Sequence, residues 1–403
     1  MSRRRIQGFR KERLDQILAV RGLSQIQLAS LVGVSPGTIS KWRAGNQIPE
    51  KEALARLATV VNVSEEWFTR PVQALLEQPL FRSNAQALVT ARGMLKARTE
   101  WVQDIGYALQ EFLDFPDLNL PVRDFQNPLE ISTEDIEEAA IECRKCWKLG
   151  RVAIQDLALA AESAGIILVR EQTGIAQIES LSAWSTVLNR PIIYLSADKG
   201  NAYRSRFDLA HEIGHLILHS HVIDTANPER HRLLEKQAHD FAGALLLPAE
   251  TFAREVQLPV TLDDLLLLKK RWGVSVAAMI MRLKAMHMID KEETSRLYRR
   301  RSARWGAKFE PGDDERIPEQ PRLLRRSVEL LVKENIIPLE SVSDYFGLSA
   351  RDVEMLTGLH EGYLDGRNNV IELSRLRGKL NANLVDEEIK DNNIIPFKNK
   401  KVL

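Results

Sequence analysis

The sequence predicts a multidomain chain that is mainly α-helical with one small β-sheet. Three observations carry that expectation. At 403 residues the chain is long enough for two or three separate cores. Helical periodicity and cap residues recur along most of it, whereas strand-like runs gather between positions 166 and 195. Shifts in charge and in Pro/Gly content then divide it into an all-α domain over 1–70, a helical linker over 71–130 and a central α+β domain over 131–295. A basic, charged linker over 296–322, a helical sensing or interaction domain over 323–385 and a charged tail over 386–403 complete the division.

Composition narrows the class. An apolar fraction of 44% is that of an ordinary globular protein. No uninterrupted apolar run reaches membrane-spanning length, so no membrane partner is expected. Met1-Ser2-Arg3-Arg4-Arg5 starts with charge but leads into no apolar signal core, and only two cysteines occur; a reducing cytoplasm is the expected location. Cys143 and Cys146 form a C-x-x-C in a predicted helix, far from a second metal pair, and read as incidental. The net charge of +1 hides an imbalance: residues 1–70 carry twelve Lys/Arg against six Asp/Glu. A second basic cluster comprises Arg296, Arg299, Arg300, Arg301 and Arg304. Such excess suits a phosphate-backbone partner only where a motif supports it.

The N-terminal domain supplies one. Leu14, Ile17 and Leu18 give the first helix an apolar stripe that ends at Gly22. Ser24 caps a second helix from Gln25 to Leu31, and Val32-Gly33-Val34 makes a tight turn. Ser35 caps a third helix with Pro36 at its first position, where the missing N–H costs nothing. That helix stops at Ala44-Gly45-Asn46; Lys51–Val61 and Ser64–Phe68 supply two more. Helix, short Gly-containing turn and polar second helix is the arrangement that places a recognition helix in the major groove of DNA. Leu23-Ser24-Gln25-Ile26-Gln27-Leu28-Ala29, Gly33-Val34-Ser35 and Ile39-Ser40-Lys41-Trp42-Arg43-Ala44-Gly45 together resemble the DNA-binding domain of the Cro/repressor-type (XRE) family, over about residues 10–68. The resemblance implies a double-stranded DNA partner, with Gln25 on a phosphate and Ser35, Thr38, Ser40, Lys41 and Arg43 on the DNA side. Pro36 and Gly37 stand where related repressors carry long polar side chains. Phosphate contacts should therefore dominate, with modest sequence discrimination.

Residues 71–116, punctuated by Pro71, Pro79 and Pro116, read as connector helices. Leu88, Leu95, Val102, Ile105, Leu109 and Phe112 recur at near-heptad spacing, as expected for packing on the protein itself or for a dimer seam. Ser132 and Asp135 open a helix to Trp147, and Gln155–Ser163 forms another. Strands are expected at Ile166–Val169, Ser182–Leu188 and Pro191–Leu195, the last two joined as a hairpin. An exposed strand edge beside a reactive centre can hold a peptide extended by main-chain bonds.

That centre is His211-Glu212-Ile213-Gly214-His215, an H-E-x-x-H in an apolar helical run. Residues i and i+4 share one helix face, so His211 and His215 can bind one zinc ion. Glu212 is placed to take a proton from water at the metal rather than to bind the metal. Six of the eight histidines lie between positions 211 and 239. A catalytic zinc takes three protein ligands and an open position, and Glu235 and His239 are the candidates for the third. His219 lies one turn beyond His215, in reach of a supporting rather than a ligating role. Tyr194, Tyr203 and His231 are candidates for stabilising a transition state, with nothing to separate them.

The H-E-x-x-H, its lead-in Ser205-Arg206-Phe207-Asp208-Leu209-Ala210, and the run Glu235-Lys236-Gln237-Ala238-His239-Asp240-Phe241-Ala242 with Leu245-Leu246-Leu247-Pro248 resemble the ImmA/IrrE family of zinc metallopeptidases over roughly 130–290. The resemblance implies a zincin-like central domain and zinc on His211, His215 and Glu235, although His239 replaces the usual Asn. It also implies cleavage of a repressor-like protein in a bacterial or phage stress-response, mobile-element or defence pathway. The alternative is a transcriptional regulator or toxin–antitoxin component whose metallopeptidase-like domain senses or binds without turnover. A homodimer is compatible with either. Short helices at Leu323–Val332, Leu339–Phe346 and Ala350–Leu356 complete the expected order.

Overall fold

In the computed structural model the described residues are 8–72, 80–83, 89–174, 178–198, 200–222, 227–306, 308–366 and 398–399. Leu88 of the expected seam, and the tail 386–403 apart from 398–399, lie outside them. The described chain is mainly α-helical with a small sheet, and it forms two compact units. One lies within Met1–Leu75, Gly93–Pro116 and Arg322–Leu403; the other lies within Leu76–Arg92 and Asp117–Pro321. No helix among the described residues is long and apolar enough to cross a membrane.

The first unit is built on helices Glu12–Arg21, Gln25–Val32, Pro36–Ala44 and Lys51–Val61. Ser24 and Gln27 form a reciprocal capping box, and the Ser35 hydroxyl accepts from the Thr38 amide. Gly33, at φ 74°, turns the chain between the second and third helices, a conformation that glycine adopts without a Cβ clash. Leu14, Ile17, Leu28, Ile39, Trp42, Leu57 and Phe68 fill the core. The long helix Val89–Leu109 contributes its C-terminal part to this unit, with Leu95, Val102, Ile105 and Leu109 buried.

The C-terminal helices Leu323–Lys333, Val342–Phe346 and Ala350–Thr357 belong to the same unit. Arg21 donates two hydrogen bonds to Asp352, at 2.8 and 2.7 Å. Arg70 donates to the Tyr345 and Asp344 carbonyls, and the Ser64 amide to that of Gly347. The compact units therefore depart from the chain order that the sequence suggests for a linker over 71–130 and a domain over 323–385.

The second unit carries a four-stranded sheet. The strands among the described residues are β1 (Leu80–Ser83), β2 (Leu113–Asp114), β3 (Ile167–Glu171), β4 (Ile178–Ser185), β5 (Arg190–Ser196) and β6 (Lys398–Asn399). The sheet order is β1-β4-β5-β3, with β3 parallel to β5 and the other pairs antiparallel; β2 and β6 pair separately. The hairpin turns at Asn189, φ 48°. Leu168, Ile193 and Leu195 enter one core cluster with Ile213 and Ile217 of the helix Ala202–Leu218, and with Phe241 and Leu245 of the helix Pro228–Leu246.

The stretch 296–321 is part of this unit rather than a free connector. Helix Lys291–Trp305 covers its first part, and buried Arg301 donates to Glu310 at 2.8 Å. The Glu310 carboxylate in turn accepts the Val276 and Ala277 amides at the start of helix Val276–Ala285. Of the basic cluster, Arg296 pairs with Glu293 and Arg304 with Asp263, so much of its charge is met within the unit. Cys143 is buried in helix Thr133–Cys146, and burial pushes its thiol pKa up, which disfavours the thiolate.

Candidate metal centre and nucleic-acid interface

Helix Ala202–Leu218 places His211, Glu212 and His215 in the interior, with exposures of 1%, 0% and 2%. The neighbouring helix Pro228–Leu246 brings Glu235 to them. The two Nε2 atoms of His211 and His215 are 3.0 Å apart. Glu235 oxygens lie 3.5 Å from the first and 3.3 Å from the second. A tetrahedral ion about 2.0–2.1 Å from each ligand sets ligand atoms about 3.3–3.4 Å apart. The triangle therefore fits zinc, and it is the one such group of His, Cys, Asp and Glu among the described residues. Burial alone would raise the Glu235 pKa, but the two imidazoles bring it well below the usual carboxylate range, which keeps the oxygens ionised as ligands must be.

The close approach of these helices depends on Gly214, the fourth residue of the motif. A Cβ there would meet Phe241 at 3.0 Å and the Ala238 carbonyl at 3.2 Å. A larger residue would require the Phe241 ring and the Ala238 carbonyl to give way by a few tenths of an ångström. Periodicity does not reveal this, because a helix-interior glycine reads in sequence only as a weak position.

A chain of hydrogen bonds sets the tautomer of His215. Gln237 donates its amide N–H groups to the Pro128 and Ile131 carbonyls, at 2.7 and 3.3 Å, so its oxygen faces His219 Nε2 at 3.2 Å. His219 must therefore carry its proton on Nε2. Burial and the neighbouring His215 lower its pKa well below the ordinary value and keep it neutral, so Nδ1 accepts. The Nδ1 of His215, 3.0 Å away, then donates. This leaves the His215 Nε2 lone pair aimed at the triangle. Replacing Gln237 or His219 by Ala should weaken zinc binding about 10–100-fold without removing a ligand. Competition with a chromophoric chelator measures this, and an unchanged affinity in both variants would defeat the assignment.

The sheet contributes a residue that the motif does not announce. Ser180 of β4 donates to Glu212 at 2.5 Å. Tyr194 falls elsewhere: it pairs across the sheet with Leu181, one residue from Ser180, and alternation turns it to the opposite face. Its buried hydroxyl has no partner among the described residues. Tyr203 lies under the Lys269 ammonium at 4.4 Å. The His239 ring packs tilted against Phe207 at 4.6 Å and sits 6.1 Å from that of His211, outside the triangle.

In the first unit, Ser40 and Lys41 are exposed along helix Pro36–Ala44, whereas Thr38 and Arg43 are half-buried. Ser35 and Thr38 hydroxyls lie 2.9 Å apart at its start. Gln25 donates to the Pro36 carbonyl at 2.8 Å and accepts from Arg43 at 3.0 Å, while Arg43 also pairs with Asp15 at 2.7 Å. Gln25 and Arg43 thus lock the two motif helices together, so a phosphate must compete with Asp15 for the Arg43 guanidinium.

No curated protein matches the chain. Residues 17–68 match the family model of the helix-turn-helix, and residues 161–284 match that of the IrrE N-terminal-like domain, a peptidase family. The chain thus joins a helix-turn-helix DNA-binding domain to a metallopeptidase-like domain, the two-domain arrangement that its motifs predict.

Proposed function

We propose that the chain is a DNA-binding zinc endopeptidase that cleaves a specific protein partner, a repressor-like protein in a bacterial or phage stress-response, mobile-element or defence pathway. The observation that carries this is the triangle of buried His211 and His215 with half-buried Glu235, and Glu212 beside it, held by Ser180. Those three residues would hold a zinc ion, which would supply Lewis acidity and make a nearby water easier to deprotonate. Glu212 accepts the water proton and returns it to the leaving amide nitrogen. The Ser180 hydroxyl fixes the carboxylate's orientation, and the chain through His219 and Gln237 fixes that of His215. The helix-turn-helix concentrates this activity at DNA, beside a repressor bound there. The direct test is capture: proteins retained by the full-length Glu212→Gln chain are incubated with the Glu212 chain. A discrete fragment pair from one of them is expected, and intact partners throughout would favour the regulator that binds without turnover.

DNA affinity should reside in the helix-turn-helix and fall steeply with salt as phosphate contacts release counterions. Lys41→Ala should weaken binding to all sequences alike and reduce the salt slope by about one unit. Anisotropy titrations of the full chain over a salt series check both, and a sequence-selective loss would mark Lys41 as a base contact instead.

A further inference from the structure

A strand has two hydrogen-bonding edges, and each holds one neighbour. β4 gives one edge to β5, with Ser180 opposite Leu195 and Ser185 opposite Arg190. The same strand carries the hydroxyl that holds Glu212, so its second edge is the sheet edge nearest that carboxylate. An extended peptide could add to the sheet there by main-chain bonds. β1 already takes that place: Leu80, Phe81 and Arg82 lie opposite Ser182, Leu181 and Ser180, antiparallel. Strands in a sheet lie about 4.8 Å apart, so a peptide pairing outside β1 would sit one strand farther from Glu212. The other outer strand of the sheet among the described residues, β3, lies two strands from β4.

β1 is poorly built as a permanent sheet member. It has four residues, follows Pro79 directly, and shifts register between Arg82 and Ser83, leaving Glu179 of β4 unmatched. Short, bulged edge strands are weakly held. The segment is also the stretch of chain that leads out of the first unit and back into it, between Leu75 and Gly93.

From this juxtaposition we infer that residues 80–83 are an internal competitor strand: they occupy the peptide-binding edge of the metal centre, and a partner gains that edge only when they leave it. This rests on reading the centre as a peptidase. The zinc-loaded full chain carrying Glu212→Gln, in which any hydrolysis of a peptide is slowed, provides the test. A fluorescent peptide with the sequence of residues 78–86 is titrated against three versions: residues 80–83 unaltered, residues 80–83 replaced by Gly-Ser-Gly-Ser, and Phe81→Pro alone. Replacement removes a tethered strand whose effective concentration is on the order of millimolar. The peptide should bind the replaced chain at least tenfold more tightly than the unaltered one, with Phe81→Pro between them. Circular dichroism and zinc content report folding; if the four-residue replacement misfolds, Phe81→Pro alone decides. Equal affinity for the altered and unaltered chains, including no binding to any, overturns the inference. The two readings fail differently. Strand exchange without any partner cleavage by the Glu212 chain would remove the peptidase and leave the competitor strand. Partner cleavage with no gain in peptide binding would do the reverse.

Discussion

Glu212→Gln should lower hydrolysis of the cognate partner by roughly 10²–10⁴-fold, the usual contribution of a positioned general base. Gln preserves the side chain's length, and its amide can still accept from the Ser180 hydroxyl that lies 2.5 Å from the carboxylate. What it loses is the ability to take a proton. His211, His215 and Glu235 are untouched, so zinc content, thermal unfolding and DNA affinity should stay as they are. The measurement is single-turnover cleavage of a captured partner alongside metal analysis of the same preparation. A general peptidase substrate is a poor choice, because a selective enzyme can ignore it. Undiminished cleavage by the zinc-loaded variant would remove Glu212 from the mechanism. A Ser180→Ala chain provides a graded companion, expected to lose less, since it frees the carboxylate's orientation but leaves its basicity in place.

The second large effect concerns the ligands. About one zinc per chain is expected, and the double replacement His211→Ala with His215→Ala should abolish stoichiometric binding, because two of three protein donors are gone. Glu235→Ala should weaken zinc by more than the 10–100-fold range typical of supporting partners. His239→Ala should have little effect, since its ring packs near Phe207 and lies outside the triangle. Metal analysis after dialysis against a graded chelator ranks the variants. If His239→Ala lost more zinc than Glu235→Ala, the third ligand would be His239.

Local patterns made much of this chain legible. The cap residues Ser24, Ser35 and Ser132 each accept the amide expected of them, because a cap is decided by residues three apart. The order of the two motifs announced both domain types for the same reason: H-E-x-x-H works through an i, i+4 spacing, and the helix-turn-helix through a short turn between two short helices. Strand signals at Ile166–Val169 and in the hairpin were equally local. β1 was not visible, since Leu80–Ser83 lacks a clear period and gains its conformation from pairing with β4.

By itself, then, the sequence determined the local conformations and the mainly helical class, and it proposed candidates for metal chemistry and DNA contact. Whatever depends on contacts distant in sequence was decided only by the tertiary structure. Arg21 meets Asp352 across 331 residues, which draws the C-terminal helices into the helix-turn-helix unit instead of a domain of their own. Arg301 and Glu310 tie an apparent linker onto the start of another helix. Gly214 lets two helices approach closely enough for Glu235 to reach both histidines, and Gln237, anchored on two backbone carbonyls, selects the tautomer of one of them. Periodicity reports which face of a helix is apolar, not which partner will cover it. Burial and pairing choose that partner, and they act on residues that no short window contains.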